Sequence, residues 1–349
     1  MNTAIICSTF NRAEQLKRTI WSIANQDCSL DDALLIIIDD GSVDHTPDVI
    51  TKCFNEHPDL KIMDIVTQRK KKNHFGGHGL VLNLGLRYAE LFGVEYVFFT
   101  GGDILWPSYA YRKHMAVHQN ANRKTEAIVE AFRLRNENPT KVARYTNLDT
   151  YSPERIKKLI RSVGIDVMLG PQIYWVRPDH ESLGNDPRIV ASVMDRYDWQ
   201  PPEKLVDQPA AMTLEEFPDR DHISIGYPGD TPCDTHHLTS PNLQSCRLHH
   251  WLNLGGWDEA GTGHFFEDIQ LIDRLQKYIE CRMKSKIAPL FQPLVHPEVP
   301  CFHQPHIRQL SDCNHQTFNQ NVAQYGYDVN KGQGIDWGKS NHTVRQYRL

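Results

Sequence analysis

Residues whose types can support binding chemistry occur in four short segments of this 349-residue sequence. Asp39-Asp40-Gly41-Ser42 and Gly101-Gly102-Asp103 each follow a hydrophobic run. The segment 70–79 is rich in lysine and glycine and precedes a helical pattern, and such segments hold diphosphates through backbone N–H groups, a helix N-terminus and an ammonium. A flexible surface loop is the alternative for this segment. Glu267-Asp268 begins another predicted helix, where the helix dipole favours ionised carboxylates.

These segments follow elements of a predicted α/β fold. Short β-rich runs alternate with helix-period segments over the first hundred residues, a pattern typical of parallel strands joined by crossover helices. The predicted strands cover 3–9, 34–38, 60–66 and 94–100, and the predicted helices cover 46–55, 80–91, 154–163 and 266–279, with a further helix that is capped by Asn11 and ends near Gln26. Because ligands bind at the carboxyl edge of such sheets, the polar loops after the strands are expected to form one site.

Four regions follow from this pattern. Residues 1–110 form a first half that carries the strand-end loops, and 240–310 form a second ordered half. Between them, 111–239 is interpreted as a large irregular insertion, since regular periodicity fades there. Residues 311–349 are polar and are predicted to form a C-terminal tail that covers the surface.

Composition excludes several classes of protein. With 38 Lys+Arg against 43 Asp+Glu the chain carries a formal charge of −5, which gives no general attraction to nucleic acid, although 69–72 is a basic run. Its longest aliphatic run, Leu34 to Ile38, is far shorter than the ~20 residues of a membrane span. Eight cysteines without a Cys-x-x-Cys pair favour reduced thiols. Together with the absence of a signal-like N-terminus, this predicts a cytoplasmic protein.

The order of these motifs resembles a known family. Ser8–Arg12, Ile38–Asp44, Asn83–Leu86 and the strand end at Asp103 resemble the nucleotide-sugar glycosyltransferases of the GT-A fold, especially family 2. In the second half, the sequence Gly-Gly-Trp-Asp-Glu at 255–259, followed by Glu267-Asp268 and Arg274-Leu275, is similar to the acceptor-side motif of inverting galactosyltransferases. The resemblance implies a Rossmann-like, mostly parallel sheet flanked by helices, with the irregular insertion added. It also implies that 1–110 form the nucleotide-sugar-binding half, that 240–310 form the acceptor and catalytic half, and that the insertion 111–239 lies on the acceptor side.

The resemblance also implies roles in binding the donor. Asp40 stands where family members read the pyrimidine base, whose imide N–H suits a buried carboxylate. Thr9, Asn11 and Arg12 lie at the neighbouring strand end, where family members close over the base and ribose. Asn11 could equally serve only as the N-cap of the following helix. The remaining donor-binding residues are predicted from the glycine-rich loop and the fourth strand end. The predicted donor-binding residues are Thr9, Asn11, Arg12, Asp40, Lys72, His78, Gly79 and Gly102.

A metal ion and a catalytic base are implied in the same way. The family places a short acidic motif at the fourth strand end to hold Mn²⁺ or Mg²⁺, which here leaves Asp103, because Gly101 stands where a first carboxylate would be. His303 is the predicted second ligand. Asp268 is the predicted general base. The predicted acceptor-binding residues are Glu267, Trp257, through stacking on a sugar ring, and Asp258.

The sequence therefore predicts an inverting glycosyltransferase that uses a pyrimidine nucleotide sugar, with a UDP-sugar as the first expectation, and with metal assistance. Two alternatives remain open: a degenerate transferase that only binds the nucleotide sugar, favoured by Gly101, and a nucleotidyltransferase, disfavoured by the lack of glycine in the loop after the first strand. The acceptor is a glycan, a lipid-linked sugar or a protein, with a modified DNA base as a minority option. Oligomeric state is not predicted.

Overall fold

The computed structural model describes residues 1–67, 78–121, 153–176, 223–225, 241–259, 266–284, 289–304, 320, 322–328, 330, 337–338 and 341–349. These residues build one sheet with helices on both faces. The strands are β1 (Thr3–Thr9), β2 (Ala33–Asp39), β3 (Ile62–Thr67), β4 (Tyr96–Gly101), β5 (Ile104–Leu105), β6 (Ile165–Val176), β7 (Ile223–Ile225), β8 (Gln244–Arg247), β9 (Leu290–His303) and β10 (His342–Arg348). The helices are α1 (Ala13–Ala24), α2 (Thr46–Glu56), α3 (His78–Leu91), α4 (Ala110–Asn120), α5 (Pro153–Val163), α6 (Leu248–Asn253) and α7 (Phe266–Lys284).

The N-terminal half is the predicted parallel sheet. β1 lies between β2 and β4 and runs parallel to both, and β2 runs parallel to β3. All seven residues of β1 and of β2 are buried, as expected for parallel strands covered on both faces. The strand order is β10-β3-β2-β1-β4-β8-β6-β9-β5, with β7 paired to β6. The loops after β1, β2 and β4 consequently meet at one edge, which we call the carboxyl edge.

Alternate residues of the strands enter two separate cores. Ile6 packs with α3 and α7 on one face of the sheet, whereas Ile5 packs with α1 and α2 on the other. Gly85 permits the close approach of α3 to the sheet, since a Cβ at this position would overlap the side chain of Ile6. The predicted α/β class is therefore confirmed.

The second half extends the sheet with mostly antiparallel pairs. β8 runs antiparallel to β4 and β6, whereas the long strands β6 and β9 are parallel to each other. β5 pairs with the end of β9, so that Ile104 lies opposite His303. This pairing carries a residue from the second half to the carboxyl edge of β4. No helix among the described residues is long and apolar enough to span a membrane.

The end of the predicted surface tail is instead an edge strand. β10 runs antiparallel to β3, and Arg345 from β10 forms ion pairs with the buried carboxylates of Asp39, at 2.9 Å, and Asp64, at 2.8 Å. The residues of β10 are polar and only partly buried, so hydrophobic periodicity gave no strand signal. Buried ion pairs fix this strand where hydrophobic alternation is absent.

Candidate active site

Asp40 lies at the carboxyl edge between the ends of three parallel strands. It is 1% exposed, its backbone N–H donates to the Thr9 carbonyl at 2.9 Å, and its Oδ1 accepts a hydrogen bond from Thr67 Oγ1 at 2.8 Å. Gly41 follows with φ of +80°, a left-handed conformation in which glycine is not strained. The chain thus turns away directly after Asp40, and its carboxylate is fixed in the position predicted for a base-reading group.

Asn11 joins the loop after β1 to the loop after β2. Its backbone N–H donates to Ser42 Oγ at 2.8 Å, and its Oδ1 accepts from the Val43 N–H at 2.8 Å. Asn11 has φ of 51°, which asparagine tolerates better than most residues. The predicted helix cap at Asn11 is wrong, because Arg12 occupies the N-cap position of α1 and Asn11 binds across to the second loop.

Asp103 forms the second acidic centre of the carboxyl edge, and it is 3% exposed. Its Oδ2 contacts the Arg12 guanidinium and lies 3.6 Å from His303 Nε2. The backbone N–H of Gln304 donates to the Asp103 carbonyl at 2.8 Å, which holds the end of β9 beside the aspartate. The structure therefore brings together the two residues that were predicted as metal ligands, together with one predicted donor-binding residue.

The histidine in this pair has a defined hydrogen-bond partner. His303 Nδ1 lies 3.0 Å from the Gln304 carbonyl oxygen, which can only accept. The ring proton of a neutral His303 is therefore on Nδ1, and the lone pair of Nε2 faces the Asp103 carboxylate. When the ring is neutral, the Arg12 guanidinium supplies the positive charge beside these two groups, and when it is protonated Nε2–H pairs with the carboxylate directly.

Gly101 and Gly102 allow the tight turn that positions Asp103. A Cβ at Gly101 would lie 2.5 Å from Asp103 Oδ1, and a Cβ at Gly102 would lie 2.8 Å from Thr9 Oγ1. A side chain at 101 would therefore require the Asp103 carboxylate to move. Thr9 Oγ1 is buried and has no hydrogen-bond partner among the described residues, so a polar ligand group at this point would satisfy it.

Helix α3 begins beside the same edge. His78, its first residue, is 9% exposed, and its Nε2 lies 2.9 Å from Ser8 Oγ on β1. A Cβ at Gly79 would overlap the carbonyl oxygen of Asp258, so glycine permits α3 to contact the acceptor-side segment. Lys72, the remaining predicted donor-binding residue, lies outside the described residues.

We call residues 255–259 the GGWDE segment, and the side chain of Asn83 binds it directly. Asn83 Nδ2 donates to the Trp257 carbonyl at 2.8 Å and to Glu259 Oε1 at 2.7 Å, while Asn83 Oδ1 accepts from the Trp257 N–H at 2.7 Å. Burial raises the pKa of the Glu259 carboxyl. One buried amide in the N-terminal half thus fixes the backbone of the GGWDE segment.

Two further side chains hold the GGWDE segment from other elements. Arg274 of α7 is fully buried and donates to the carbonyls of Leu254 and Gly256, each at 2.6 Å, and burial lowers its pKa to about 10. Asn330 Nδ2 donates to the carbonyls of Gly255, at 2.6 Å, and Trp257, at 2.5 Å. The sequence linked Arg274 to the motif, but it gave no signal for Asn330.

The predicted role of Trp257 in stacking on a sugar is wrong in this structure. Trp257 is 0% exposed, stacks on Trp251 with ring centroids 4.8 Å apart, and packs edge-on against Phe99. Its ring faces are thus occupied by the core. The sequence motif alone does not tell whether a tryptophan after two glycines is exposed to a ligand or buried in the core. The three-dimensional structure distinguishes the two.

Among the predicted acceptor-side residues, the structure describes the side chain of Asp258 but not those of Glu267 and Asp268. Asp258 is 2% exposed, and its Oδ2 accepts a hydrogen bond from Gln270 of α7. Glu267 and Asp268 lie in the first turn of α7, as predicted, and their side chains lie outside the described part of the structure. Asp258 therefore connects the GGWDE segment to the helix whose first turn carries the predicted base.

Sequence comparison finds a known family over the first half of the chain. Residues 4–168 match the family model "Glycosyl transferase family 2". This part of the chain is similar to a family 2 glycosyltransferase domain, as the motifs predicted, and its strand topology agrees with the GT-A-type fold expected for that family.

Two curated relatives match part of the chain. An uncharacterized glycosyltransferase of Nostoc, alr2836, is 33% identical over 122 residues, which are 35% of this chain and 34% of that protein. The poly(ribitol-phosphate) beta-N-acetylglucosaminyltransferase TarP of Staphylococcus aureus is 36% identical over 104 residues, which are 29% of this chain and 28% of TarP. The matches thus span about a third of each relative.

Solved structures give weaker likenesses. TarS of S. aureus in complex with UDP-GlcNAc is 24% identical with a TM-score of 0.29 and covers 34% of this chain and 32% of its own. The mannosyltransferase PcManGT of Pyrobaculum calidifontis, solved with GDP-Man and Mn²⁺, is 16% identical with a TM-score of 0.40. The match covers 97% of this chain and 65% of PcManGT. Likenesses at this level carry no argument about the present chain.

The contacts of Asn83 lead to a prediction about stability. Replacing Asn83 with Ala leaves buried groups of Trp257 and Glu259 without a partner and is expected to lower the free energy of unfolding by about 3 kcal/mol. Urea denaturation followed by circular dichroism measures this change. Asn25→Ala, at an exposed amide that donates to the Trp21 carbonyl, is the control and should change stability by less than about 0.5 kcal/mol. Equal stability of both variants would contradict the role of Asn83.

Proposed function

We propose that this protein transfers a sugar from a pyrimidine nucleotide sugar, a UDP-sugar, to an acceptor hydroxyl with inversion at the anomeric carbon. The observation that carries the proposal is the convergence of Asp40 and the Asp103–His303 pair at one sheet edge. The direct bonding of Asn83 to the GGWDE segment adds support, because it sets the acceptor side against the donor side.

The donor base is assigned to Asp40. Its buried carboxylate accepts from Thr67, and Asn11 and Ser42 hold the loops around it in one conformation. A carboxylate fixed in this way accepts the imide N–H of uracil without losing side-chain entropy on binding. The 36% identity to TarP, whose name describes an N-acetylglucosaminyltransferase, supports a nucleotide-sugar donor.

The first prediction from this proposal concerns donor affinity. Asp40→Ala should weaken UDP binding by about 1–3 kcal/mol, because the uracil imide then loses its partner. Isothermal titration calorimetry with UDP measures the change. The control is Asp59→Ala, at an exposed carboxylate just before the amino end of β3, and it should leave the affinity for UDP unchanged. Unaltered affinity in a folded Asp40→Ala protein would remove this residue from base recognition.

The Asp103–His303 pair fits a divalent metal. A carboxylate oxygen and an imidazole nitrogen face each other at 3.6 Å, near the roughly 3 Å that separates neighbouring ligands around Mn²⁺ or Mg²⁺. The hydrogen bond of His303 Nδ1 directs the lone pair of Nε2 towards the carboxylate. When bound, such an ion neutralises the charge that develops on the departing diphosphate. Arg12 contacts the same carboxylate and places a cation beside it.

A metal requirement follows from this geometry. Turnover should be lost in EDTA and restored by Mn²⁺, and His303→Ala should raise the Mn²⁺ concentration needed for half-maximal rate. His45→Ala, which removes an exposed histidine that also faces a carboxylate, serves as the control. Full turnover in chelator would contradict the metal assignment and would leave Arg12 as the group that neutralises the diphosphate.

The catalytic base is assigned to Asp268. It stands in the first turn of α7, where the helix dipole favours the ionised form, and α7 is joined to the GGWDE segment through Gln270 and Arg274. Its carboxylate takes the proton from the acceptor hydroxyl as that oxygen attacks the anomeric carbon opposite the diphosphate. Glu267 is the proposed partner for other acceptor hydroxyls.

Asp268→Asn removes the basic lone pair with little change in shape and should lower turnover about 10²–10⁴-fold while UDP affinity survives. Asp273→Asn, at an exposed position of the same helix, is the matched control and should retain wild-type turnover. NMR of the product should show the anomeric configuration opposite to that of the donor. A retained configuration would contradict single displacement, and near-normal turnover in Asp268→Asn would place the base on another residue.

A further inference from the structure

A second cluster of possible ligands lies at the opposite edge of the sheet. Asp166 is the second residue of β6, and His249 and His250 belong to α6, directly after β8. Arg247, the last residue of β8, pairs with Tyr96 at the start of β4, whereas Asp103 follows the end of β4. The length of β4 separates the two places by roughly 17 Å. The cluster is therefore distinct from the candidate active site.

The donor atoms of the cluster converge on one point. Asp166 Oδ2 lies 3.1 Å from His250 Nε2 and 3.8 Å from His249 Nε2, and all three atoms lie within 4.8 Å of one another. The ligand atoms around a tetrahedral zinc ion lie about 3.3 Å apart, given bonds of about 2.0 Å. Small side-chain movements thus suffice to place the three atoms around one ion.

Neighbouring side chains hold two of these ligands in orientation. Arg247 Nε donates to Asp166 Oδ1 at 3.0 Å, which turns Oδ2 towards the histidines, and the Arg247 charge is balanced by Glu95. His250 Nδ1 lies 2.9 Å from the hydroxyl of Tyr278. Hydrogen bonds to the far side of metal ligands are typical of built metal sites.

Access also suits a metal ion. The His249 side chain is 48% exposed, and an ion can enter from that side.

We propose that Asp166, His249 and His250 form a binding site for a divalent transition metal of the zinc type, with water as the fourth ligand. An ion there joins α6 to the start of β6. Because Trp251 of α6 stacks on Trp257, the ion also stabilises the element that supports the GGWDE segment. The site is structural and independent of the proposed sugar transfer.

Titration with Co²⁺, whose visible absorption reports tetrahedral ligation, and competition with Zn²⁺ test the proposal on untagged protein. The titration is run on the wild-type chain and on Asp103→Asn, which removes an ion at the candidate active site. Both proteins should show the tetrahedral absorption of one Co²⁺, with a second ion in the wild type only if the proposed active-site pair also binds Co²⁺, and Zn²⁺ should displace the tetrahedral ion. Adding His249→Ala should weaken this binding more than about 100-fold, since loss of a direct ligand exceeds the 10–100-fold effect of outer-shell changes.

His45→Ala is the control, since it removes an exposed histidine that lies 3.0 Å from the Glu14 carboxylate. It should bind Co²⁺ and Zn²⁺ like the wild type. Because His249 is half exposed, His249→Ala is expected to fold, and circular dichroism checks this. Unchanged Co²⁺ affinity in folded His249→Ala would overturn the proposal, as would wild-type protein that binds neither ion at micromolar concentration.

Discussion

The side-chain amide of Asn83 is the constraint on which the site depends. It uses both its donor and its acceptor on the backbone of Trp257, and it lies where a Cβ on Gly256 would overlap it. Gly256 therefore has to be glycine both for this contact and for its φ of +72°. Through this amide, the helix that begins beside the carboxyl edge fixes the distance between the N-terminal half and the GGWDE segment.

Charge at the carboxyl edge is arranged around buried carboxylates. Asp39 is held by Arg345, Asp103 by Arg12, and Asp40 by the hydroxyl of Thr67. A buried carboxylate is stable only when charges or donors compensate it, so each aspartate commits a partner from another element. The partner of Asp39 comes from the last strand, which couples the C-terminal residues of the chain to the loop that carries Asp40.

Much of the donor half was predictable because its signals are local. The buried strand β2 and the turn that follows it are encoded by consecutive residues, and strand-end logic then placed Asp40 and Asp103 at the same edge. The family resemblance suggested the pairing of Asp103 with His303. In the structure, the antiparallel pairing of β9 with β5 places His303 beside Asp103. Gly101 stands where the resemblance expected a first carboxylate, and a Cβ there would lie against the Asp103 side chain.

The remainder depends on long-range contacts that leave no periodic signal. Asn330 is a lone asparagine in a polar stretch, yet it binds two carbonyls of the GGWDE segment, and β10 is held by Arg345 rather than by apolar alternation. Trp257 was predicted to stack on a sugar ring. Its position in the motif did not reveal that the side chain is buried. Such residues are recognised only when the fold shows which backbone groups need a partner.

The central claim is that the nucleotide binds at the carboxyl edge formed by β1, β2 and β4. Amide hydrogen exchange with and without saturating UDP tests it most directly. We predict slower exchange in residues 9–12, 40–44 and 101–103 on binding, with no change at the opposite edge around 165–167 and 247–250. Protection confined to that opposite edge, or unchanged exchange in 40–44 while UDP is bound, would contradict the account.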